Sequence, residues 1–377
     1  MARVLTSSED VAALARDLDG TPRLAVDTEF HAEQRLLPAL MTVQLATGDG
    51  RAWLVDALQA DLTPLGPVLT ATEVVLHGGL HDVQLLMAAT GWRPGRLLDT
   101  QRLAGLVGSS YPARLTDLLA SWLGVEKGPS RALSDWSQRP LAPEQVTYAL
   151  EDVALLPALV ERLLAGLRAR GREAWARLAS LELLDEVGAP ARPLDGWRGW
   201  DVAPGLDEDE RRVLDGLMRW REEQAQQRGQ PAHYLLGDSL ALSLARARPT
   251  SLDALARDRR LASGLRQRHG PALVACIRRA LLSPAPAPVP PLTPARAALL
   301  TAWAHARAGR TEIAAGLALP PAVLHRVAEL GPAALQGWRA QALGEDLTAL
   351  WSGTAAVGLG PDGLVVVQGP AGQGAGR

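Results

Sequence analysis

Asp27-Thr28-Glu29-Phe30 closes a short apolar run that begins at Arg23. Side chains alternate faces along a strand, so Asp27 and Glu29 point the same way. Two carboxylates on one face repel each other unless protons or a cation sit between them. Hard oxygen donors of this kind suit Mg2+ or Mn2+; two solvated acids at a strand end are the plainer alternative. A second group, His77-Gly78-Gly79-Leu80-His81-Asp82, follows another apolar run. Its paired glycines allow a tight turn into a helix, which puts Asp82 in the first helical turn. An acid there also fits a simple interaction with the helix dipole. His77 and His81 read as packing or hydrogen-bonding residues, not as ligands. Tyr148 and Asp152 lie four apart in a helical stretch and share one face, although such pairs are frequent by chance. A phenol beside a metal-binding carboxylate could orient and help deprotonate an attacking water. Phe30, the only phenylalanine, directly follows Glu29 and is either a base-stacking platform or a core residue.

Each group is weak alone, and the signal is their combination. Four carboxylates are what two divalent cations ~3.5–4 Å apart require, one to activate water and one to stabilise a leaving 3′ oxygen.

Several elements must bring these groups together. Strands are expected at Arg23–Phe30, Ala39–Ala46, Arg51–Val55, Glu73–His77 and Arg96–Leu98, with Thr47-Gly48-Asp49-Gly50 as a hairpin turn. Helical periodicity marks Ser8–Asp17, Leu80–Ala89, Thr100–Val107 and Leu115–Leu123, then runs unbroken from Pro143 to Leu167 and resumes to about Leu184. Strands first hairpin-linked and then alternating with helices predict an α/β domain with a mixed sheet, residues 1–187. A Pro/Gly-rich linker over 188–204 precedes an all-helical block at 205–283. The alternating prolines of 284–292 form a stiff spacer before a second helical block, 293–352. The Gly-rich 353–377 reads as a flexible tail, apart from an apolar run at Leu364–Val367.

Composition sets the remaining bounds. Nearly half of the 377 residues are hydrophobic (47%), which is enough for a sizeable core. No run of ~18 uncharged apolar residues exists to span a membrane. Met1–Gly20 lacks the apolar stretch of a secretory signal. Cys276 is the only cysteine, which excludes an internal disulfide and a thiolate zinc site. A cytoplasmic protein is expected. Lys127 is the only lysine in a chain of arginines, a bias better explained by a GC-rich genome than by chemistry. Residues 1–200 carry 19 basic and 25 acidic side chains, a net of −6, whereas 205–283 carry 14 arginines against 10 acids, a net of +4. An acidic front half suits cation binding and a basic middle suits a polyanion; a chance fluctuation would look the same.

The three groups, in this order, resemble the exonuclease motifs of the ribonuclease D family, which belongs to the tyrosine subclass of the DEDD 3′–5′ exonucleases. Leu98-Asp99-Thr100 and Ser134-Asp135-Trp136-Ser137-Gln138-Arg139-Pro140-Leu141 are similar to two further family signatures. Leu217, Trp220, Arg221, Gly229-Gln230-Pro231, Asp238-Ser239-Leu240, Pro249-Thr250 and His269-Gly270 resemble an HRDC domain, a small helical nucleic-acid-binding module. The last block, with Gly331-Pro332-Ala333-Ala334-Leu335 and Gly337-Trp338-Arg339, is more loosely similar to the family's second HRDC-like domain.

The resemblance implies a ribonuclease H-like nuclease domain followed by two small all-α domains. It implies that Asp27, Glu29, Asp82 and Asp152 bind two Mg2+ or Mn2+ ions and that Tyr148 positions water. It also implies removal of nucleoside 5′-monophosphates from RNA 3′ ends, with transfer RNA precursors as substrates and Phe30 as a substrate contact. A monomer is expected, since the accessory domains can cover the nuclease within one chain. The alternatives are the same chemistry on DNA and a non-catalytic RNA-binding protein. Two departures from the family pattern, Leu36-Leu37 and Val125-Glu126-Lys127-Gly128-Pro129, are expected to leave the metal ligands untouched.

Overall fold

Six strands build the sheet that carries the acids: β1 (Arg3–Leu5), β2 (Arg23–His31), β3 (Ala39–Ala46), β4 (Ala52–Asp56), β5 (Glu73–Leu76) and β6 (Leu97–Asp99). They lie in the order β1-β4-β3-β2-β5-β6. The central β2, β3 and β4 are antiparallel, while β1 joins β4, and β5 and β6 extend from β2, in parallel. This computed structural model describes residues 3–31, 38–128, 134–187, 196–229, 231–361 and 363–368. The Thr47–Gly50 turn joins β3 to β4, with Thr47 N–H donating to the Arg51 carbonyl at 3.0 Å and Gly50 at φ 90°.

Among the described residues, eight helices accompany the sheet: α1 (Ser8–Asp17), α2 (Leu65–Ala71), α3 (Leu80–Thr90), α4 (Thr100–Gly105), α5 (Leu115–Leu123), α6 (Pro143–Ala154), α7 (Leu156–Ala169) and α8 (Glu173–Glu186). β1 and α2 were not anticipated. Three residues are too few to show a period, and Gly66 and Pro67 obscure the one in α2. The helical run from Pro143 is broken at Leu155, because Pro157 has no N–H for the Val153 carbonyl.

Strand alternation divides the core into two layers. Leu24 and Val26 of β2, with Val43, Leu45, Val74 and Leu76, pack in one cluster with α1–α3. Ala25, with Ala46, Val75 and Leu98, faces the other way, toward α4, α5 and α7. Continuing this alternation, Asp27 and Glu29 emerge on the Ala25 face and Thr28 on the Leu24 face.

The two helical blocks pack differently. In the first, the helix Glu208–Arg228 starts at a capping box in which Asp207 accepts from Glu210 N–H (2.7 Å) and Glu210 accepts from Asp207 N–H (2.9 Å). Val213, Leu217, Trp220, Leu244, Leu273 and Ile277 form a core of their own. Trp197 and Val289, from the flanking segments read as linker and spacer, are buried in that same core. In the second, Trp303, Leu317 and Trp338 belong to one continuous cluster with Leu103 and Leu159 of the nuclease. Glu182 of α8 accepts from Trp338 Nε1 at 2.9 Å and from the Arg339 guanidinium. Part of the expected flexible tail folds as an antiparallel hairpin, Ala355–Gly360 with Gly363–Gln368, because the Leu364–Val367 run supplies β-branched residues for pairing. Among the described residues, no helix is long and apolar enough to cross a membrane.

Candidate active site

β2 outruns its neighbour. Its parallel pairing with β5 stops at Ala25, where β5 gives way to the Gly78-Gly79 turn, and Gly78 takes φ 62°. The edge beyond Ala25 therefore faces the start of α3. Asp82, in the first turn of α3, fills the gap and accepts from the Thr28 hydroxyl at 2.5 Å. The turn is itself tied down, because Asp99 accepts from Gly79 N–H (3.0 Å) and caps α4 through Arg102 N–H (3.0 Å). The Leu98-Asp99-Thr100 signature thus anchors the second motif. His77 bonds to the Thr100 hydroxyl (2.9 Å) and the Ala113 carbonyl (3.2 Å), so its ring serves the scaffold.

On the other face of β2, α6 lies across β2, β3 and β4. It brings Asp152 to Asp27 and Glu29, so that one carboxylate oxygen from each lies within 4.8 Å of the others. The Ser134–Leu141 signature seats this helix. Trp136 is buried with its ring centroid 6.3 Å from that of Tyr148. Gln145 donates to the Asp135 carbonyl (3.1 Å) and accepts from Ala142 N–H (3.0 Å). Arg139 grips Asp56 at the end of β4 with two nitrogens and also bonds the Met41 carbonyl (3.0 Å).

Asp27, Glu29 and Asp82 do not ionise as free carboxyls do. Burial, then the charges of Asp82, Asp152 and Glu29, hold Asp27 well above the usual carboxylate range. Burial, then Asp152 and Asp82, push Glu29 up to about 8. Burial raises Asp82 to about 6, against the opposing Thr28 hydroxyl bond. Asp27 and Glu29 both resist ionisation and converge with Asp152, a set of oxygen donors that fits a hard divalent cation, whose charge would remove that resistance. Asp82 stands beside the triad, reaching Asp27 through its charge.

The positions of the other expected residues are mixed. Tyr148 is half-buried one turn before Asp152 on α6. Phe30 is half-buried and its ring lies 5.3 Å from that of the exposed His81. Leu36 and Leu37 lie outside the described residues. The expectation for the second departure was wrong: the Lys127 ammonium pairs with Asp152 and sits 5.2 Å over the Tyr148 ring. Helical or strand periodicity cannot flag a residue in a Gly/Pro loop. The available signal was that this lysine is alone of its kind.

Known proteins are similar to this chain in sequence and fold. A family model described as a 3′–5′ exonuclease matches residues 2–168, and one for the HRDC domain matches residues 210–277. Ribonuclease D of Gluconacetobacter diazotrophicus is 32% identical over 98% of this chain and 97% of its own length. Ribonuclease D of Granulibacter bethesdensis is also 32% identical, over 94% of both. This chain belongs to the ribonuclease D family. It is accordingly a 3′–5′ exoribonuclease in type, with the family's mixed α/β nuclease domain and helical HRDC region. The crystal structure of Escherichia coli RNase D, described as an exoribonuclease involved in structured RNA processing, has the same fold over 93% of this chain and 99% of its own (TM-score 0.78, 24% identity). In this ribonuclease D-type chain, the 3′–5′ exonuclease match spans Asp27, Glu29, Asp82, Tyr148 and Asp152.

Proposed function

We propose that the chain removes nucleoside 5′-monophosphates from the 3′ ends of structured RNAs, transfer RNA precursors among them, by two-metal-ion hydrolysis in the cytoplasm, as a monomer. The observation that carries this reading is the convergence within 4.8 Å of Asp27 and Glu29 of β2 with Asp152, which lies on the helix that also bears Tyr148. Asp27, Glu29, Asp82 and Asp152 would hold two Mg2+ or Mn2+ ions. Bound there, the cations supply the positive charge that favours attack by water and departure of the 3′ oxygen. Tyr148 directs its hydroxyl to the attacking water and helps take its proton. Phe30 offers its ring to the terminal base, with His81 beside it. The arginine excess of 205–283 supports a role for that block in holding the body of the RNA.

The test is a gel time course on a transfer RNA with a short 3′ extension, with Mg2+, Mn2+ and EDTA lanes and a matched DNA-tailed substrate. Metal-dependent, one-nucleotide shortening of the RNA that stalls near the mature end is expected. Asp27→Asn should reduce it to background while leaving circular dichroism and RNA binding intact. Full activity in that variant sinks the assignment, preference for the DNA tail moves the function to DNA, and no cleavage with any metal leaves a binding protein.

A further inference from the structure

Lys127 supplies the only ammonium side chain among 39 basic residues. It lies in the loop after α5, close to the exposed Gly128, yet only 5% of its side chain is exposed. Its partners all belong to the site. It pairs with Asp152, stacks over Tyr148, and lowers Glu29 through its charge. An ammonium is a compact point charge, whereas a guanidinium is a wide planar fork that fits poorly among converging carboxylates. The one position where this chain uses lysine is therefore the one where a positive charge must take up little more room than an ion.

Charge counting argues that it would leave once two divalent cations are held. Four carboxylates are balanced by two divalent cations, which leaves no negative charge at Asp152 for a fifth positive unit. A groove of about 330 Å3 adjoins the loop and is lined by Lys127, Gly128, Glu144, Thr147, Tyr148 and Glu151. Glu144 and Glu151 are exposed on α6, seven residues apart, on either side of Tyr148. The displaced ammonium thus has a second acidic environment within the same groove.

We propose that Lys127 is an internal counter-ion: it occupies a cation position at Asp152 in the metal-free enzyme and is displaced toward the groove when a divalent cation binds. It is a positioning residue, since it acts through Asp152. The inference rests on the metal site proposed above.

Its singularity makes the test direct. The full chain carrying 13C-labelled lysine gives one side-chain Cε resonance, which is followed as Mg2+ alone is added to chelator-treated protein. A shift of that resonance saturating together with calorimetric Mg2+ binding is expected. In parallel, Lys127→Met should bind Mg2+ about tenfold more tightly than the wild type, within the range typical of linked sites. Lys127→Gln serves if the methionine variant does not fold, as judged by circular dichroism. A resonance that stays fixed while the wild type binds Mg2+, or variants that bind no more tightly, overturns this inference alone. A wild type that binds neither Mg2+ nor Mn2+ overturns it together with the metal reading.

Discussion

The two helical blocks that follow the nuclease are alike in size and opposite in attachment. The first block, from Trp197 to Val289, closes around its own core, in which Trp197, Trp220 and Ile277 meet, among the described residues, without any nuclease side chain. The contact that this block makes with the block beyond is narrow. Arg198 pairs with Glu329, and Gly199 lies so near His325 that an added Cβ would meet the ring at 2.5 Å. The last block has no such independence. Its Trp303, Leu317 and Trp338 lie in the same cluster as Leu103 and Leu159, and Arg172, which also donates to the Leu106 carbonyl of its own unit, reaches the Thr311 carbonyl across the junction. One block is a module carried by the enzyme, and the other completes the enzyme's core.

The strongest challenge to that contrast is deletion. A chain ended at Leu292 removes Trp303, Leu317 and Trp338 from the cluster that holds Leu103 and Leu106, and is expected to be insoluble or to lack a cooperative melt. A chain in which a flexible linker replaces residues 206–283 should keep a cooperatively melting nuclease and lose mainly affinity for structured RNA. Equal outcomes would erase the distinction.

Next in size is a pH effect confined to the nuclease unit. Glu29 is pushed up to about 8 and Asp82 to about 6, with Asp27 also raised. Between the unfolded carboxyl range near 4 and these values, the folded chain holds more protons than the unfolded one. The contribution of these three acids to metal-free stability is therefore full below about pH 4 and is lost as pH rises toward 8. Melting curves in EDTA should show this loss, and excess Mg2+ should reverse it. A nuclease transition that does not move with pH would refute the buried-acid account.

Single substitutions sharpen the contrast further. Glu182→Ala takes the acceptor from the Trp338 N–H and the carboxylate from the buried Arg339, which keeps only the Ala318 and Leu317 carbonyls at the shared junction. A cost of about 3 kcal/mol to the nuclease melt is expected. The smallest effect belongs to Arg221→Ala, which removes donors to the Leu236 carbonyl (3.0 Å) and Asp238 (2.6 Å) inside the first block. It should cost that block about 1–2 kcal/mol and leave cleavage of a short unstructured RNA unchanged. A slower cleavage rate would show that the module is coupled to the site after all.

The contrast was only partly legible in the chain. Periodicity located most strands and helices, since Ala39–Ala46, Ser8–Asp17 and Leu115–Leu123 alternate or repeat long enough to be read. Alternation also placed Asp27 and Glu29 on one face. It could not say that Asp152 comes within 4.8 Å of them, because that distance depends on how α6 crosses three strands. Nor could it tell an independent block from a merged one, since both bury the same kinds of residue and differ only in what lies opposite. Trp197 and Val289 looked like linker because a single buried residue in a Pro/Gly-rich segment has no period. Lys127 escaped for the same reason, and composition alone pointed to it.

The overhang of β2 past β5 carries one more consequence. Thr28, between the two acids, serves Asp82 on the opposite face, so every side chain from Asp27 to Glu29 is committed to a side. A register shift between Glu29 and Phe30 interrupts the β2–β3 pairing just beyond them. A slip of one residue would exchange the faces of all three at once. Tolerance at this strand is therefore digital: an insertion or deletion within it is corrected by the fold or silences the enzyme, and graded loss of activity belongs to changes made elsewhere.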